Sequence, residues 1–321
     1  MTVHPVGRAV LYQQATAHGR PATPDGLLIT RSPADDYARV TFPDGMNVVG
    51  PVLWGGLGST MQRYMANFIE RTATGRPYVF GGVPNTIEWG ADTARVVDFF
   101  NLGDGELHRD DLPGGVAVDV IDGEASVNYV DAHPFAIDLA RPELRRKYLA
   151  TAKPALPEFA ADAVNIAVHI RRGYGASDAD QRRIISNGAT RDKLVVLVDA
   201  IRARTTMPVR LNVYSSGAPA DFTDLDALDP VLHLDTDTFA TVHALVMADV
   251  LVMAHSSFSY VAALLNDNLV IYDPFWHSPA PTWIVCQDGR LQFNDPRSVT
   301  ALRRMLQRVA GRSVLHPIHN T

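Results

Sequence analysis

An apolar run between Val164 and Gly173 ends in a group of cationic side chains. The run, Val-Asn-Ile-Ala-Val-His-Ile-Arg-Arg-Gly, has strand length and is rich in β-branched residues until it reaches His169, Arg171 and Arg172. A buried parallel strand delivers charge to its carboxyl edge in this way, and open α/β sheets bind ligands at that edge. Because a planar guanidinium matches a phosphate or carboxylate, the pattern indicates an anion site. Pairing of both arginines with acidic residues elsewhere in the chain explains it equally well.

A second stretch combines glycines with a helix start. The pattern predicts a strand at Asn47–Trp54, a glycine turn at Gly55–Gly58, a helix capped by Ser59, and a further strand at Pro77–Phe80. A glycine turn that leads into a helix offers backbone N–H groups to a phosphate. A purely steric need for the glycines is the alternative interpretation. The chain contains neither GxGxxG nor a Walker lysine motif, so the common dinucleotide and P-loop sites are not indicated.

Strands and helices are predicted to alternate regularly after Lys153–Pro157, a proline-containing boundary between two domains. The predicted strands cover residues 165–171, 208–214, 231–234, 249–254 and 268–272. The predicted helices cover residues 189–204, 221–228, 238–248, a short segment through Leu265, and 297–309. Such alternation predicts a parallel sheet covered by helices on both faces. Several predicted strands end in groups that can contact a phosphate or a ribose: His169 and Arg171, Ser215 and Ser216, and His255, Ser256 and Ser257.

Three further segments carry expectations about local structure. Residues 116–130 are predicted to form a hairpin around Asp122-Gly123. A basic helix is predicted at Arg141–Thr151, with Pro142 in its first turn. The aromatic segment from Pro274 to Trp283 is interpreted either as a loop packed on the core or as a platform for a sugar.

Composition restricts the class of protein. The 321 residues suit two ordinary domains or one large one, and 46% hydrophobic with 20% charged residues describes a globular chain with ample core. A net charge of −6 argues against wrapping nucleic acid but leaves room for a local basic cleft. The single cysteine, Cys286, excludes an internal disulfide and is interpreted as a small buried residue. We find no signal-peptide pattern and no membrane span, and predict a cytoplasmic location.

The order of three motifs is more specific than any of them alone. Gly55–Gly58 precedes a predicted helix, His169–Gly173 ends a predicted strand, and Ser256–Ser259 precedes another predicted helix. Together they resemble the motifs of the GDP-fucose-dependent fucosyltransferases, a superfamily that includes bacterial α-1,2-fucosyltransferases, the nodulation α-1,6 enzyme and protein O-fucosyltransferases. The resemblance spans roughly residues 48–272, and it is strongest in the second half of the chain.

This resemblance implies a GT-B-like α/β fold, in which two Rossmann-like domains face a central cleft. Residues 1–46 would form a small N-terminal β extension, residues 47–155 the domain on the acceptor side, and residues 156–321 the domain that binds the nucleotide sugar. The implied reaction is an inverting transfer of L-fucose from GDP-fucose to a hydroxyl of a glycan or glycoconjugate. It implies no metal and no cofactor besides the donor substrate.

The resemblance also assigns roles to individual residues. Arg171 would bind the diphosphate and stabilise it as a leaving group, and His169 would orient Arg171 or contact the nucleoside. Ser256 and Ser257 would donate hydrogen bonds to phosphate oxygens, and Phe258 would lie against the base. The implied donor-binding set is Gly56, Leu57, Gly58, His169, Arg171, Arg172, Ser215, Thr241, Ser256, Ser257 and Phe258.

The chain departs from the pattern of the superfamily at three places. Ser59-Thr60 stands where Asn-Gln is usual, and Gly173-Tyr174 stands where Gly-Asp is usual. Thr241 stands where an aspartate usually contacts the guanine edge. The spelling Asp235-Thr236-Asp237 is that of a metal clamp, but its place before a predicted helix favours capping.

Other hypotheses remain open at this stage. Asp178 and Asp180 are candidates for the general base by position, with Glu70 and Asp98 as others, and none can be assigned. A non-catalytic module that binds a nucleotide sugar or a glycan would use the same fold, and a glycosyltransferase could use another sugar nucleotide. A serine hydrolase built on Ser256 or Ser216 is disfavoured because no Gly-x-Ser-x-Gly elbow is present.

Overall fold

The chain divides into two compact units, Met1–Ala152 and Lys153–Thr321. The computed structural model describes residues 10–12, 27–31, 38–41, 47–48, 56–75, 79–80, 83, 93–108, 123–172 and 183–315. None of the helices in these ranges is both long enough and apolar enough to span a bilayer.

The first unit contains a small antiparallel sheet, a parallel strand pair and helices. The antiparallel sheet has the order β1-β2-β3-β4, from Val10–Tyr12, Leu27–Arg31, Ala38–Thr41 and Asn47–Val48. The parallel pair joins β5 (Val79–Phe80) to β6 (Leu107–His108). The helices described in this unit are α1 (Leu57–Thr74), α2 (Thr93–Phe100), α3 (Gly123–Ala132) and α4 (Phe135–Leu149). The Rossmann-like character of this unit stays a prediction, as does a cleft between the two units.

Helix α1 follows the predicted amphipathic pattern but starts earlier than predicted. Its apolar positions, spaced at i, i+3, i+4, i+7 and i+8, are all buried: Met61, Tyr64, Met65, Phe68 and Ile69. The N-cap is Gly56, so the predicted capping by Ser59 is wrong, and Ser59 lies in the first turn. Gly75 ends the helix in the left-handed region, at φ 71°, where glycine has no Cβ to clash.

Three other local predictions for the first unit need correction. The described part of the predicted strand Asn47–Trp54 is Asn47–Val48, which pairs antiparallel with β3 and so belongs to the N-terminal sheet. The predicted hairpin is wrong, because residues from Gly123 onward form α3, which buries Val127 and Val130 three positions apart. The basic helix starts at Phe135 rather than Arg141, and Pro142 lies inside it. The burial of one apolar face of the helix compensates for the backbone hydrogen bond that the proline cannot make.

The second unit is built on a six-stranded parallel sheet, which confirms the α/β fold class. Its strands are β7 (Val164–His169), β8 (Val209–Ser215), β9 (Val231–Leu234), β10 (Val250–Val252), β11 (Leu269–Tyr272) and β12 (Ile284–Val285). Its helices are α5 (Asn187–Arg202), a 3₁₀ helix (Pro219–Leu228), α6 (Thr238–Met247), α7 (Ser257–Leu265) and α8 (Pro296–Leu315). The two-residue strand β12, directly after the aromatic segment, was not predicted from the sequence.

The strand order of this sheet determines where a ligand can bind. The order is β12-β11-β10-β7-β8-β9, so β7 lies beside β10 although β8 and β9 come between them in the chain. This is the order of the Rossmann fold, with β7 as its first strand. The chain leaves β7 toward β8 on one side and leaves β10 toward β11 on the other. Ligands of such sheets bind at the carboxyl ends of the two strands at this switch point.

One face of β7 packs in the core, and its amino end is held by an ion pair. Val164, Ile166, Val168 and Ile170 lie in the core together with apolar residues of α5 and α8. At the amino end, the Asp249 carboxylate accepts hydrogen bonds from both Nη atoms of Arg312, at 2.9 and 3.0 Å, and from the Asn165 backbone N–H, at 2.9 Å. This pair ties α8 to the sheet, so the amino end is closed by structural contacts.

Candidate functional site

His169 is the last residue of β7 and lies at the switch point. The alternation of the strand places it on the face opposite to Val168 and Ile170. Its ring centroid lies 5.3 Å from that of Phe258, the second residue of α7. Within the described part of the chain, the buried Nδ1 atom of His169 has no hydrogen-bond partner. Burial, with a smaller effect from the charge of Arg171, lowers the pKa of His169 to about 3, so the imidazole is neutral at physiological pH.

A small pocket opens between the carboxyl ends of β7 and β10 and the first half of α5. Its polar lining comprises His169, Arg171, Thr190 and Lys193. Val168 and Val252, from the two adjacent strands, supply part of its apolar lining. The pocket therefore lies where the strand order places a ligand site, and two basic residues, Arg171 and Lys193, line it.

The two consecutive arginines have different surroundings. Arg171 lines the pocket. Nη2 of Arg172 donates hydrogen bonds to Oδ1 of Asn187 and to the carbonyl oxygen of Asp221, both at 3.1 Å. The guanidinium of Arg172 also lies 4.4 Å from the ring centroid of Phe222. Arg172 thus holds the start of α5 against the 3₁₀ helix, and its role in donor binding stays a prediction.

The serine motif forms the start of α7. Ser256 is the N-cap, and its Oγ accepts a hydrogen bond from the Phe258 backbone N–H at 3.3 Å. The buried hydroxyl of Ser259 donates to the carbonyl oxygens of Ala254 and Ser256, at 3.2 Å each, which fixes the loop after β10. Ser257, the first residue of the helix, is partly exposed. The motif therefore places a helix N-terminus at the switch point, and the hydroxyl of Ser256 serves as its cap.

Ser215 and Thr241, both predicted to contact the donor, are engaged within the protein. Oγ of Ser215 donates to the carbonyl oxygen of Ile170 at 2.7 Å and so joins the ends of β7 and β8. The hydroxyl of Thr241, in α6, pairs with that of Thr236 at 2.9 Å. Asp237 caps α6 by accepting from the backbone N–H groups of Phe239 and Ala240, as predicted. Among the described residues, no group of three or more histidine, cysteine, aspartate or glutamate side chains is placed to hold a metal ion.

The remaining predicted site residues lie in the first unit or outside the described residues. Gly56 is the exposed N-cap of α1, while Leu57 and Gly58 are buried in its first turn. Asp178 and Asp180 lie outside the described residues. Oε2 of Glu70 accepts a hydrogen bond from the Ser126 hydroxyl at 2.7 Å, and Asp98 is exposed on α2. The general base therefore stays unassigned.

An ion pair that the sequence pattern did not predict lies beside the pocket. Lys193, from the middle of α5, pairs with Asp273, which directly follows β11, and both side chains are buried. The position of Asp273 after a predicted strand was the available signal. Cys286 lies next to this pair and is buried, as predicted. Burial and the neighbouring Asp273 carboxylate raise the pKa of the Cys286 thiol to about 12.

The aromatic segment is mostly packed against the core. Trp283 is buried, with its ring centroid 5.5 Å from that of Tyr260. Phe275 stacks on His255 at 5.7 Å, in the loop that leads to α7. Trp276 is 48% exposed, with the guanidinium of Arg183 4.6 Å from its ring centroid. The packed-loop interpretation holds for Trp283 and Phe275, and the exposed ring of Trp276 leaves the sugar-platform interpretation open.

Comparisons with known proteins give matches among solved structures. No protein-family model matches the chain, and no curated protein matches it. POFUT1 in complex with GDP-fucose is 12% identical, with 74% of this chain and 96% of that chain covered and a TM-score of 0.35. The E. coli heptosyltransferase WaaC with ADP is 13% identical, with 83% and 99% covered and a TM-score of 0.34.

The NodZ α-1,6-fucosyltransferase co-crystallised with GDP is 12% identical, with 69% of this chain and 93% of that chain covered and a TM-score of 0.33. With TM-scores below 0.5, these similarities carry no argument about what the chain binds. The motifs, the strand order and the pocket are the features of this chain that indicate a function.

The low pKa of His169 makes a prediction about stability. The unfolded chain binds a proton at this residue below about pH 6.5, whereas the folded protein binds it only near pH 3. The free energy of unfolding therefore falls as the pH is lowered from about 6.5 toward 3. At pH 5 the loss is about 2 kcal/mol relative to pH 8. We expect His169→Asn to reduce the loss by about that amount in denaturant unfolding at both pH values. His133→Asn, a change at an exposed histidine, should keep the loss of the parent; equal losses in parent and His169→Asn would contradict the prediction.

Proposed function

We propose that the protein is a glycosyltransferase that uses a nucleotide sugar, with the donor diphosphate bound at the carboxyl ends of β7 and β10. One observation carries the proposal. The Rossmann strand order brings the pocket with His169 and Arg171 to the same switch point as the N-terminus of α7. Each of these features by itself suits an anion. The sequence motifs that produce them occur in the order found in nucleotide-sugar enzymes.

The chemistry of such a transfer requires stabilisation of a leaving group. As the bond between the sugar and the diphosphate breaks, negative charge grows on the diphosphate. A guanidinium stabilises this charge by hydrogen bonds that strengthen in the transition state. The N-terminal end of a helix dipole acts in the same direction. In this proposal Arg171 supplies the first contribution and the start of α7 supplies the second.

The finer proposal is an inverting transfer of L-fucose from GDP-fucose to a hydroxyl of a glycan or glycoconjugate. It is supported by the three motifs at Gly55–Gly58, His169–Gly173 and Ser256–Ser259. Phe258 would contact the base from its position beside His169. Thr241 replaces the aspartate expected at the guanine edge, so a different base is the main alternative for the donor.

Calorimetric titration with GDP, UDP, ADP and dTDP tests this proposal, first without metal and then with magnesium. We expect GDP to bind at least about tenfold more tightly than the other three, a difference of roughly 1.4 kcal/mol. GDP-fucose hydrolysis and transfer to simple glycans would then be assayed. Preference for another nucleotide would overturn the assignment of GDP-fucose as donor but would still support a glycosyltransferase that uses another nucleotide sugar. The absence of binding by all four would contradict the general proposal.

One departure from the motif pattern favours a second candidate. Gly173-Tyr174 stands where Gly-Asp is usual in the superfamily, and loss of that carboxylate is how such a site would keep binding while losing transfer. The candidate is a non-catalytic module that binds a nucleotide sugar or a glycan. Nucleotide binding without transfer and without donor hydrolysis would favour this module over an enzyme.

A further inference from the structure

The ion pair between Lys193 and Asp273 joins α5 to the end of β11. The exposed fractions of the two side chains are 4% and 7%. Lys193 also lines the pocket at the switch point, together with Arg171. Thr190, which precedes Lys193 by three residues and lies on the same side of α5, lines the pocket as well. The pair therefore borders the proposed donor site, and neither residue had a role in the sequence analysis.

Stability alone is a poor explanation for a buried pair at this place. Removing two ions from water costs several kcal/mol for each ion, and well-packed apolar residues often stabilise a protein as well or better. Apolar neighbours are already present, because Val252 and Val168 line the same pocket. A lysine in this position is more easily explained by a ligand that needs its charge.

The charges around the pocket indicate the class of that ligand. Arg171 and Lys193 are cations, His169 is neutral because its pKa is low, and Asp273 is the carboxylate paired with Lys193. Two basic side chains and one carboxylate among the described residues therefore lie at or beside the pocket. An anion with several oxygens can accept hydrogen bonds from a guanidinium and an ammonium at once, and a diphosphate has this form.

We propose that Lys193 is the second cation of a diphosphate subsite, and that Asp273 is a positioning residue that holds its ammonium group toward the pocket. The proposal rests on the proposed function, since it assigns the ligand of the same site. Asp273 is suited to this task because it directly follows a buried strand and also faces the Cys286 thiol. Its carboxylate thus has a fixed position from which to direct a flexible lysine side chain.

Inorganic pyrophosphate is the probe that separates this inference from the identity of the nucleotide. We would measure its affinity by calorimetry in the full chain at several salt concentrations. The main variant is the double substitution Lys193→Met with Asp273→Asn, which removes both charges and leaves no buried carboxylate unpaired. We expect pyrophosphate affinity to fall at least about tenfold, because the ammonium group is gone. Its dependence on salt should stay close to that of the parent, because one cation and one carboxylate are removed together.

Matched variants distinguish a binding role from a structural one. Lys147→Met with Glu106→Gln removes an equally buried pair in the first unit and should leave pyrophosphate affinity unchanged. Lys193→Arg keeps the positive charge and should lose less pyrophosphate affinity than the variants that remove it. If the main variant does not fold, Lys193→Gln replaces it, because its amide can still donate to Asp273 while the charge is gone.

Two results would overturn the inference. The first is pyrophosphate affinity in the folded main variant, or in Lys193→Gln, equal to that of the parent. The second is a parent protein that binds no pyrophosphate. Neither result decides the proposed function, which depends on nucleotide preference and sugar transfer. If the parent protein binds pyrophosphate through Lys193 but transfers no sugar, the subsite proposal is supported and the proposed transferase activity is contradicted.

Discussion

Arg171→Ala is expected to lower kcat for sugar transfer by at least about 10²-fold, the usual effect of removing one group that stabilises developing negative charge. Arg171 lines the pocket between β7 and β10, where the diphosphate is proposed to bind. Its loss should also weaken GDP binding, since the same group is proposed to contact the diphosphate in the ground state. The fold should persist, because the substitution leaves the apolar face of β7 unchanged.

The measurement is transfer from GDP-fucose, or from the sugar nucleotide of the preferred base, with GDP affinity and Tm determined on the same preparations. Arg210→Ala, at an exposed arginine near the amino end of β8, is the control and should behave as the parent. Arg172→Ala should differ from both by lowering Tm, because it removes the contacts to Asn187, Asp221 and Phe222. Transfer by Arg171→Ala at the parental rate would show that the proposed leaving-group site is wrong.

The contrast between Arg171 and Arg172 shows what the sequence could predict about the site. The apolar run before His169 was sufficient to place a strand end and its charges at the binding edge of a sheet. It could not separate two consecutive arginines, because the alternation of side chains ends where the strand ends. The surroundings of Arg172 come from α5 and the 3₁₀ helix, whose positions relative to β7 depend on the whole fold.

Other parts of the molecule show the same limit. The alternation of strands and helices predicted the parallel sheet of the second unit, since a buried strand and an amphipathic helix each leave a local pattern. The pairing of Lys193 with Asp273 leaves no such pattern, because the two residues are 80 positions apart. Helix α3 was predicted as part of a hairpin because Asp122-Gly123 is a strong turn signal. The helical spacing of Val127 and Val130 is only one pair long, and β-branched residues such as valine also favour strands.

The first unit offers a prediction that is independent of the proposed function. Glu106 is buried, and its Oε1 accepts a hydrogen bond from Nζ of Lys147 at 2.7 Å and another from the Tyr64 hydroxyl. Burial and the charge of Glu106 raise the pKa of Tyr64 well above its ordinary value, so this hydroxyl stays a donor. The ammonium of Lys147 also donates to the carbonyl oxygen of Asp104. The network joins α1 and α4 to the loop that precedes β6.

Lys147→Met is expected to lower the free energy of unfolding by about 3–5 kcal/mol, because it leaves the Glu106 carboxylate buried without its cation. Denaturant unfolding measures the loss. Adding Glu106→Gln should recover most of it, since the uncharged amide can remain buried at lower cost. Arg146→Met is the matched control, because it removes the neighbouring cation, whose partner Glu143 is exposed, and it should cause no measurable loss. If Lys147→Met and Arg146→Met were equally stable, the buried pair would not be what joins the two helices.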